Sequence, residues 1–264
     1  MIAFDIAAHG LGLGHQSPFR YSLNSKQHFA EVLKVLTITA IGAHPDDIEI
    51  FMYGFLAAGR DRGDQINLIV ATDGAAGGDE PGPELACRRA GEARDGLQHL
   101  GVPRLLDLPD GRLAETGGAA GMVREAIAST SPDLILTHAP EDYHPDHRAL
   151  SAMVADAASF RCPILFADTL MGVGFEPQFY VDITPHAAEK EAAILAHGSQ
   201  QPERFARAAA IMNRFRAAQC NAPDDHRAEA WRLEKRFPFT DIRPMLPPPP
   251  PYRPFYVPSS DALI

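Results

Sequence analysis

Two short segments far apart in the chain, Ala43-His44-Pro45-Asp46-Asp47 and His144-Pro145-Asp146-His147, each set imidazole and carboxylate groups beside a proline. A catalytic divalent metal takes three protein ligands of the His and carboxylate type and keeps a position open for water. His44, Asp46, Asp47, His144, Asp146 and His147 are more than one ion needs, and amide hydrolysis also requires a base for the water and an acid for the leaving amine. Adjacent Asp46 and Asp47 point different ways, which suits one to a metal and one to the water. At i,i+3 spacing on a helix start, His144 and His147 share a face without being forced onto the same ion. Taken singly, each residue has a plainer reading; Asp47, for example, stands where a cap for a helix beginning at Ile48 would stand. The joint pattern is that of the two halves of one hydrolytic metal site.

Such halves must be brought together by the elements that carry them. An apolar run, Val35 to Ile41, reads as a buried strand ahead of the first cluster, and Leu134 to Thr137 reads as another ahead of the second. In an open α/β sheet the carboxyl ends of parallel strands line the ligand crevice, so two such ends can converge. Between them the chain alternates. Ile48, Met52, Phe55 and Leu56 keep helical spacing until Gly63, Ile66–Ala71 is a strand, and Thr72-Asp73-Gly74 with Gly77-Gly78 forms a glycine-rich loop. Helices are predicted over Pro83–Leu100 and Thr116–Ser129, with a short strand over Leu105–Leu108. Beyond the second cluster, Leu150, Val154 and Ala157 continue a helix, Ile164–Phe166 is a central strand and Phe179–Ile183 an edge strand. Thr184-Pro185 starts a helix to His197, another runs from about Glu203 to near Cys220, and Ala230–Phe237 is a last strand. The alternation predicts a Rossmann-like α/β domain, a mostly parallel sheet with helices on both faces.

A chain of 264 residues, 45% of them hydrophobic, can bury a full core. The predicted organisation is an N-terminal arm over 1–34, one domain over 35–237 and a proline-rich tail over 238–264, the tail being an extended strap over its own domain. Gly10-Leu11-Gly12-Leu13-Gly14 in the arm lacks the last glycine of a dinucleotide loop. A formal charge of −10 with dispersed acids disfavours nucleic acid and anionic membranes and favours a small-molecule substrate. Cys87, Cys162 and Cys220 are widely separated, so neither a disulfide framework nor a zinc ribbon is readable. With no span of ~20 apolar residues and no signal-peptide pattern, the expectation is a cytoplasmic protein.

Ala43-His44-Pro45-Asp46-Asp47-Ile48-Glu49 with His144-Pro145-Asp146-His147 resembles the LmbE/PIG-L family of metal-dependent N-acetylglucosaminyl deacetylases and amidases. Supporting matches follow in order: Arg89-Ala90-Gly91-Glu92, Leu108-Pro109-Asp110-Gly111, His197-Gly198-Ser199-Gln200 and Ala228-Glu229-Ala230-Trp231. The resemblance covers about Val35 to Arg236. It implies that His44, Asp47 and His147 hold the metal, commonly zinc, although another divalent ion would serve. It further implies Asp46 as general base, His144 as oxyanion stabiliser or acid for the leaving amine, and Asp146 as the group that orients His144.

Arg89 and Asp110 match sugar-contact positions in relatives. Their plainer readings are an Arg89–Glu92 pair on one helix and an ordinary turn at Asp110. His197, Ser199 and Gln200 are expected to brace a helix end, and Tyr143 either to bond the intermediate or to pack. Phe51-Met52-Tyr53 stand where many relatives have glycine, which predicts bulk near the crevice or the core behind it. The implied activity is removal of acetyl from an N-acetylglucosamine-type substrate. The alternatives are an amidase for a larger acyl group and a non-catalytic sugar-binding relative, and the resemblance also suggests a homo-oligomer.

Overall fold

Ile38, Ala40 and Ile41 are wholly buried because the strand they form, β1 (Thr37–Gly42), lies in the middle of the sheet. The computed structural model describes residues 35–236 and 240–253. The arm over 1–34, with its glycine-rich stretch, lies outside the described residues.

Seven strands form one sheet: β1, β2 (Gln65–Thr72), β3 (Arg104–Leu108), β4 (Leu134–His138), β5 (Ile164–Ala167), β6 (Phe179–Asp182) and β7 (Ala228–Leu233). Their order is β3-β2-β1-β4-β5-β7-β6. The first five in this order are parallel, while β7 runs antiparallel to both β5 and β6. Alternate residues of β1 face opposite cores: Ile38 and Ala40 join one apolar cluster, Ile41 the other. The first cluster is covered by α1 (Asp47–Phe51), α2 (Tyr53–Arg62), α6 (Ala187–Leu195) and α7 (Pro202–Gln219). The second is covered by α4 (Ala119–Thr130) and α5 (Pro145–Ala158). Helices thus cover both faces, as the sequence predicts.

Chain direction reverses between β1 and β4: from β1 the sheet grows to β2 and β3 on one side, and the chain then returns to place β4 on the other. Loops leaving two such strands diverge and open a crevice at their carboxyl ends. His44 follows β1, His138 is the last residue of β4, and both clusters line this crevice. The glycine-rich loop after β2 closes it on a third side. That loop leads into α3 (Pro83–Gly96).

Several expected boundaries differ: the last strand is Ala228–Leu233 instead of Ala230–Phe237, and α4 starts at Ala119 instead of Thr116. The helix after the first cluster breaks at Met52, where φ is −130, giving α1 and α2. The one from Pro83 stops at Gly96 instead of Leu100, with a tight turn closed by Leu100 N–H to Leu97 O at 2.8 Å. Thr184-Pro185 begins a short turn, Thr184–His186, in which Thr184 bonds back to Asp182, and α6 starts only at Ala187. Among the described residues no helix is long and apolar enough to cross a membrane.

Candidate active site

His44, Asp46 and Asp47 sit on the turn between β1 and α1, which begins directly at Asp47. Asp46 has φ 141, a left-handed conformation that strains a residue with a Cβ by ~1–3 kcal/mol. The turn is held in this form by Arg89 of α3. Its Nη2 donates to Pro45 O at 2.9 Å and to Asp46 Oδ2 at 3.1 Å, and its Nη1 donates to Gly74 O at 3.1 Å. Gly77 leaves room for the guanidinium, since a Cβ there would lie 2.5 Å from Arg89 Nη1. The surface pair with Glu92 does not form: Arg89 is buried, and Glu92 instead accepts from Ser199 N–H and Oγ.

The second cluster arrives on the first turn of α5. His144 is its N-cap residue and its Nδ1 accepts the Asp146 N–H at 3.2 Å, which leaves the imidazole proton on Nε2. His147, one turn on, faces the first cluster. Their donor atoms lie close together: His44 Nδ1 is 3.2 Å from His147 Nε2, and each is 3.2 Å from an Asp47 oxygen, His44 Nδ1 from Oδ2 and His147 Nε2 from Oδ1. The edge of a tetrahedron with bonds of about 2.0 Å is roughly 3.3 Å, so this set suits a small tetrahedral dication.

The charges point the same way. Burial works to lower the His147 pKa, but the Asp47 and Asp142 carboxylates outweigh it and hold it up at about 9. His44 is likewise raised against its burial, by Asp47, Asp110 and Asp146. Burial pushes Asp47 up, yet the imidazoles of His147, His138 and His44 pull it well below the usual carboxylate range. A buried nest that draws protons onto its imidazoles is one built around positive charge. Asp46 differs. Burial, helped by Asp47 and opposed by Arg89, lifts it to about 6.

Two residues of the site were missed by sequence reading. His138, fully inside the protein, has Nε2 3.0 Å from the Ala43 N–H it accepts and 3.1 Å from Asp47 Oδ2. With Asp47 and His147 it forms another possible ligand group, beside His44 with His144 and His147, and His44 with Asp110 and Asp146. Its ring stacks on His147 at 3.7 Å and 13°, however, so their in-plane lone pairs run side by side and do not converge on one ion. Asp142 is the other, with Oδ1 3.2 Å from His147 Nδ1. A histidine closing β4 and an aspartate two residues ahead of His144 were the available signals.

Asp146 is a correction to its expected contact. Its carboxylate accepts from Gly111 N–H at 2.7 Å and Leu113 N–H at 3.1 Å and lies 3.4 Å from His44 Nε2. It reaches His144 through its own backbone N–H, because the first turn of α5 aims the side chain at the 111–113 loop. Asp110 accepts from Ala76 N–H and sits 3.1 Å from His44 Nε2. Over this assembly opens a cavity of about 250 Å³. Arg89, Asp110, Tyr143 and Gln200 line its polar side, Ile50, Phe51, Leu170 and Phe205 its apolar side. Phe51 supplies the expected bulk and stands edge-on to His138 and His147, while Met52 and Tyr53 fill the core behind.

The family model for PIG-L, described as GlcNAc-PI de-N-acetylase, matches residues 39–158, which include both clusters. The diacetylchitobiose deacetylase of Thermococcus kodakarensis is 31% identical over 197 residues, covering 66% of this chain and 73% of that one. The chain belongs to the PIG-L family. Among solved structures, the N,N'-diacetylchitobiose deacetylase of Pyrococcus horikoshii aligns with a TM-score of 0.67 at 23% identity, over 78% of this chain and 88% of that chain. The 4-carboxy-2-hydroxymuconate hydratase GalB of Pseudomonas putida aligns equally well, TM-score 0.67 at 17% identity, over 77% and 98%. The PIG-L fold is therefore a scaffold for more than one reaction, and the reaction must be argued from the site.

The later PIG-L motifs of this chain brace the scaffold. His197 Nε2 is 2.8 Å from Glu49 Oε1, and Gln200 Nε2 donates to Gly77 O at 2.7 Å, which anchors the glycine-rich loop. Glu229 accepts the Gly54 and Phe55 N–H groups at the start of α2, each at 2.8 Å, and Lys190 Nζ at 2.7 Å balances its charge. Trp231 packs edge-on to Phe55 in the core.

Proposed function

We propose that the protein is a zinc-dependent deacetylase that removes acetyl from an N-acetylglucosamine-type substrate. The observation that carries this reading is the set of His44, Asp47 and His147, with His44 Nδ1 and His147 Nε2 3.2 Å apart and each 3.2 Å from one Asp47 oxygen, Asp46 beside it and a proton-bearing His144 Nε2 on the same cavity. His44, Asp47 and His147 would hold the metal. When bound, it lowers the pKa of a coordinated water and polarises an amide carbonyl.

The chain's own groups carry the protons. Asp46, with a pKa near 6, is ionised at neutral pH yet basic enough to accept a proton from water. Arg89 fixes that carboxylate through Nη2 and keeps it from turning away. His144 donates a hydrogen bond from Nε2 to the amide oxygen as charge develops there, and the proton that Asp46 took from the water passes to the departing nitrogen. Arg89 and Asp110 contact the sugar hydroxyls. A cavity of about 250 Å³ is smaller than a typical drug-sized pocket of roughly 300–1,000 Å³, which suits one acetamido sugar with the remainder of the substrate outside. The names of the relatives, deacetylases of diacetylchitobiose, support the same substrate class.

The test is acetate release by zinc-reconstituted protein from a panel of N-acetylglucosamine derivatives, with Asp46→Asn in parallel. Wild type should release acetate, and the variant should keep its zinc and lose about 100-fold or more in turnover. Zinc-loaded protein that releases no acetate but cleaves longer acyl amides would favour the amidase reading, for which the apolar wall of Phe51, Leu170 and Phe205 offers a place.

A further inference from the structure

Asp142 lies in the loop between β4 and α5, buried and outside both sequence clusters. One of its oxygens does two things. Oδ1 accepts the His144 N–H at 2.9 Å and lies 3.2 Å from His147 Nδ1. The residue itself is fixed on both sides, its N–H donating to Ala139 O at 3.2 Å and its carbonyl accepting from Arg148 Nη1 at 2.7 Å. His147 Nδ1 is buried and has no aligned hydrogen-bond partner among the described residues, so this carboxylate is the group in reach of it.

An imidazole that ligates through Nε2 must carry its proton on Nδ1, and a carboxylate behind Nδ1 selects that tautomer and fixes the ring plane. We propose that Asp142 is the positioning residue of this site: its Oδ1 keeps the His147 proton on Nδ1, so that Nε2 presents its lone pair toward Asp47 and His44. Through the His144 N–H the same oxygen sets the first turn of α5. Ligand and proton donor therefore answer to one group. Sequence motifs that stop at His144 do not include it. The proposal rests on His147 being a metal ligand, as in the proposed function.

The experiment uses the full chain, wild type and the variants Asp142→Ala and Asp142→Asn, with zinc affinity measured by competition against a chromophoric chelator. Ala removes the acceptor and should weaken zinc binding ~10–100-fold. Asn keeps an acceptor oxygen, so it should stay within a few-fold of wild type. Circular dichroism checks that each variant is folded. Should the Ala variant not fold, NMR of zinc-loaded wild type and Asn protein still decides: the His147 Nδ1 proton should resonate far downfield in wild type, as one shared with a carboxylate does, and move upfield in the Asn variant, and an unmoved proton would overturn the proposal. Wild-type affinity in a folded Ala variant overturns the proposal, and so does zinc-loaded His147 protonated at Nε2. Neither readout depends on substrate. Failure to release acetate, with these results as expected, would count against the proposed activity and leave the role of Asp142 standing.

Discussion

At Gly54 a single hydrogen decides how closely α2 approaches the sheet. A Cβ built there would lie 2.3 Å from Ile183 Cγ2 and 2.6 Å from Ile183 Cβ, distances no side chain tolerates. The close approach lets Glu229 reach the first N–H groups of α2, the helix that follows directly on α1 and the turn carrying His44, Asp46 and Asp47. Gly54→Ala should destabilise the fold by ~1–3 kcal/mol through overpacking, read as a lower midpoint in urea or thermal unfolding. An unchanged midpoint would mean that Ile183 yields freely. The same scale separates what was legible from what was not. His44, Asp47 and His147 stand out in sequence because each lies in a dense cluster beside proline. His138 and Asp142 do not, because their meaning depends on neighbours from other elements: Asp47 comes from the β1–α1 turn and the His147 ring from α5. Asp146 misled for a related reason. Its position next to His147 is local, but the direction of its carboxylate is set by Gly111 and Leu113, which no spacing within its own segment reveals.

Elements were more readable than their joints. The central strands were legible from their apolar runs, since a strand buried on both faces must be apolar throughout, whereas β7 was placed two residues late because Glu229 interrupts its apolar run. Helix starts and stops moved where a tertiary bond replaced a local signal, as Thr184 shows by accepting the Arg227 N–H at 2.9 Å instead of capping α6. One such joint ties α2 to α6. Glu189 of α6 accepts from Tyr53 Oη at 2.8 Å and from Arg60 Nη1 at 2.6 Å. The Arg60 hydrogen bond holds the Glu189 carboxyl below its ordinary value of 4.5, against the smaller opposing effect of burial. A carboxyl whose pKa is depressed in the folded state contributes stability above its unfolded pKa and loses it as pH falls through the folded value. Wild type should therefore exceed Glu189→Gln in thermal stability at pH 6 to 7, and the gap should close as pH falls below 4.5. A gap that is independent of pH would show that packing, not the charge on Glu189, links the helices.

For the molecule as a whole, the open question of a sheet is its edges, and β6 is one of them. Bonded to β7 on one side, it would present unpaired groups on the other. The proline-rich segment meets it there. Asp182 N–H donates to Pro248 O at 2.9 Å, and prolines offer no N–H in return, so pairing stops after the strap. The strap is clamped at both ends. Arg62 donates to Leu246 O at 2.9 Å and to Met245 O at 3.0 Å, and Asn221 and Arg253 exchange bonds of 2.8 and 2.7 Å. Ile242 enters the main core beside it, 1% exposed. A chain ending after Arg236 loses that burial, worth about 1.5–3 kcal/mol, and at about 2–4 °C per kcal/mol its midpoint should fall by roughly 3–12 °C. It should also scatter light at concentrations where the full chain does not, since the freed edge can pair with another copy. Arg62→Ala loosens one clamp and leaves Ile242 in place, so it should lower the midpoint by less and leave the edge covered. A truncated chain as stable and as clear in solution as the full one would remove the strap from any role in protecting the sheet.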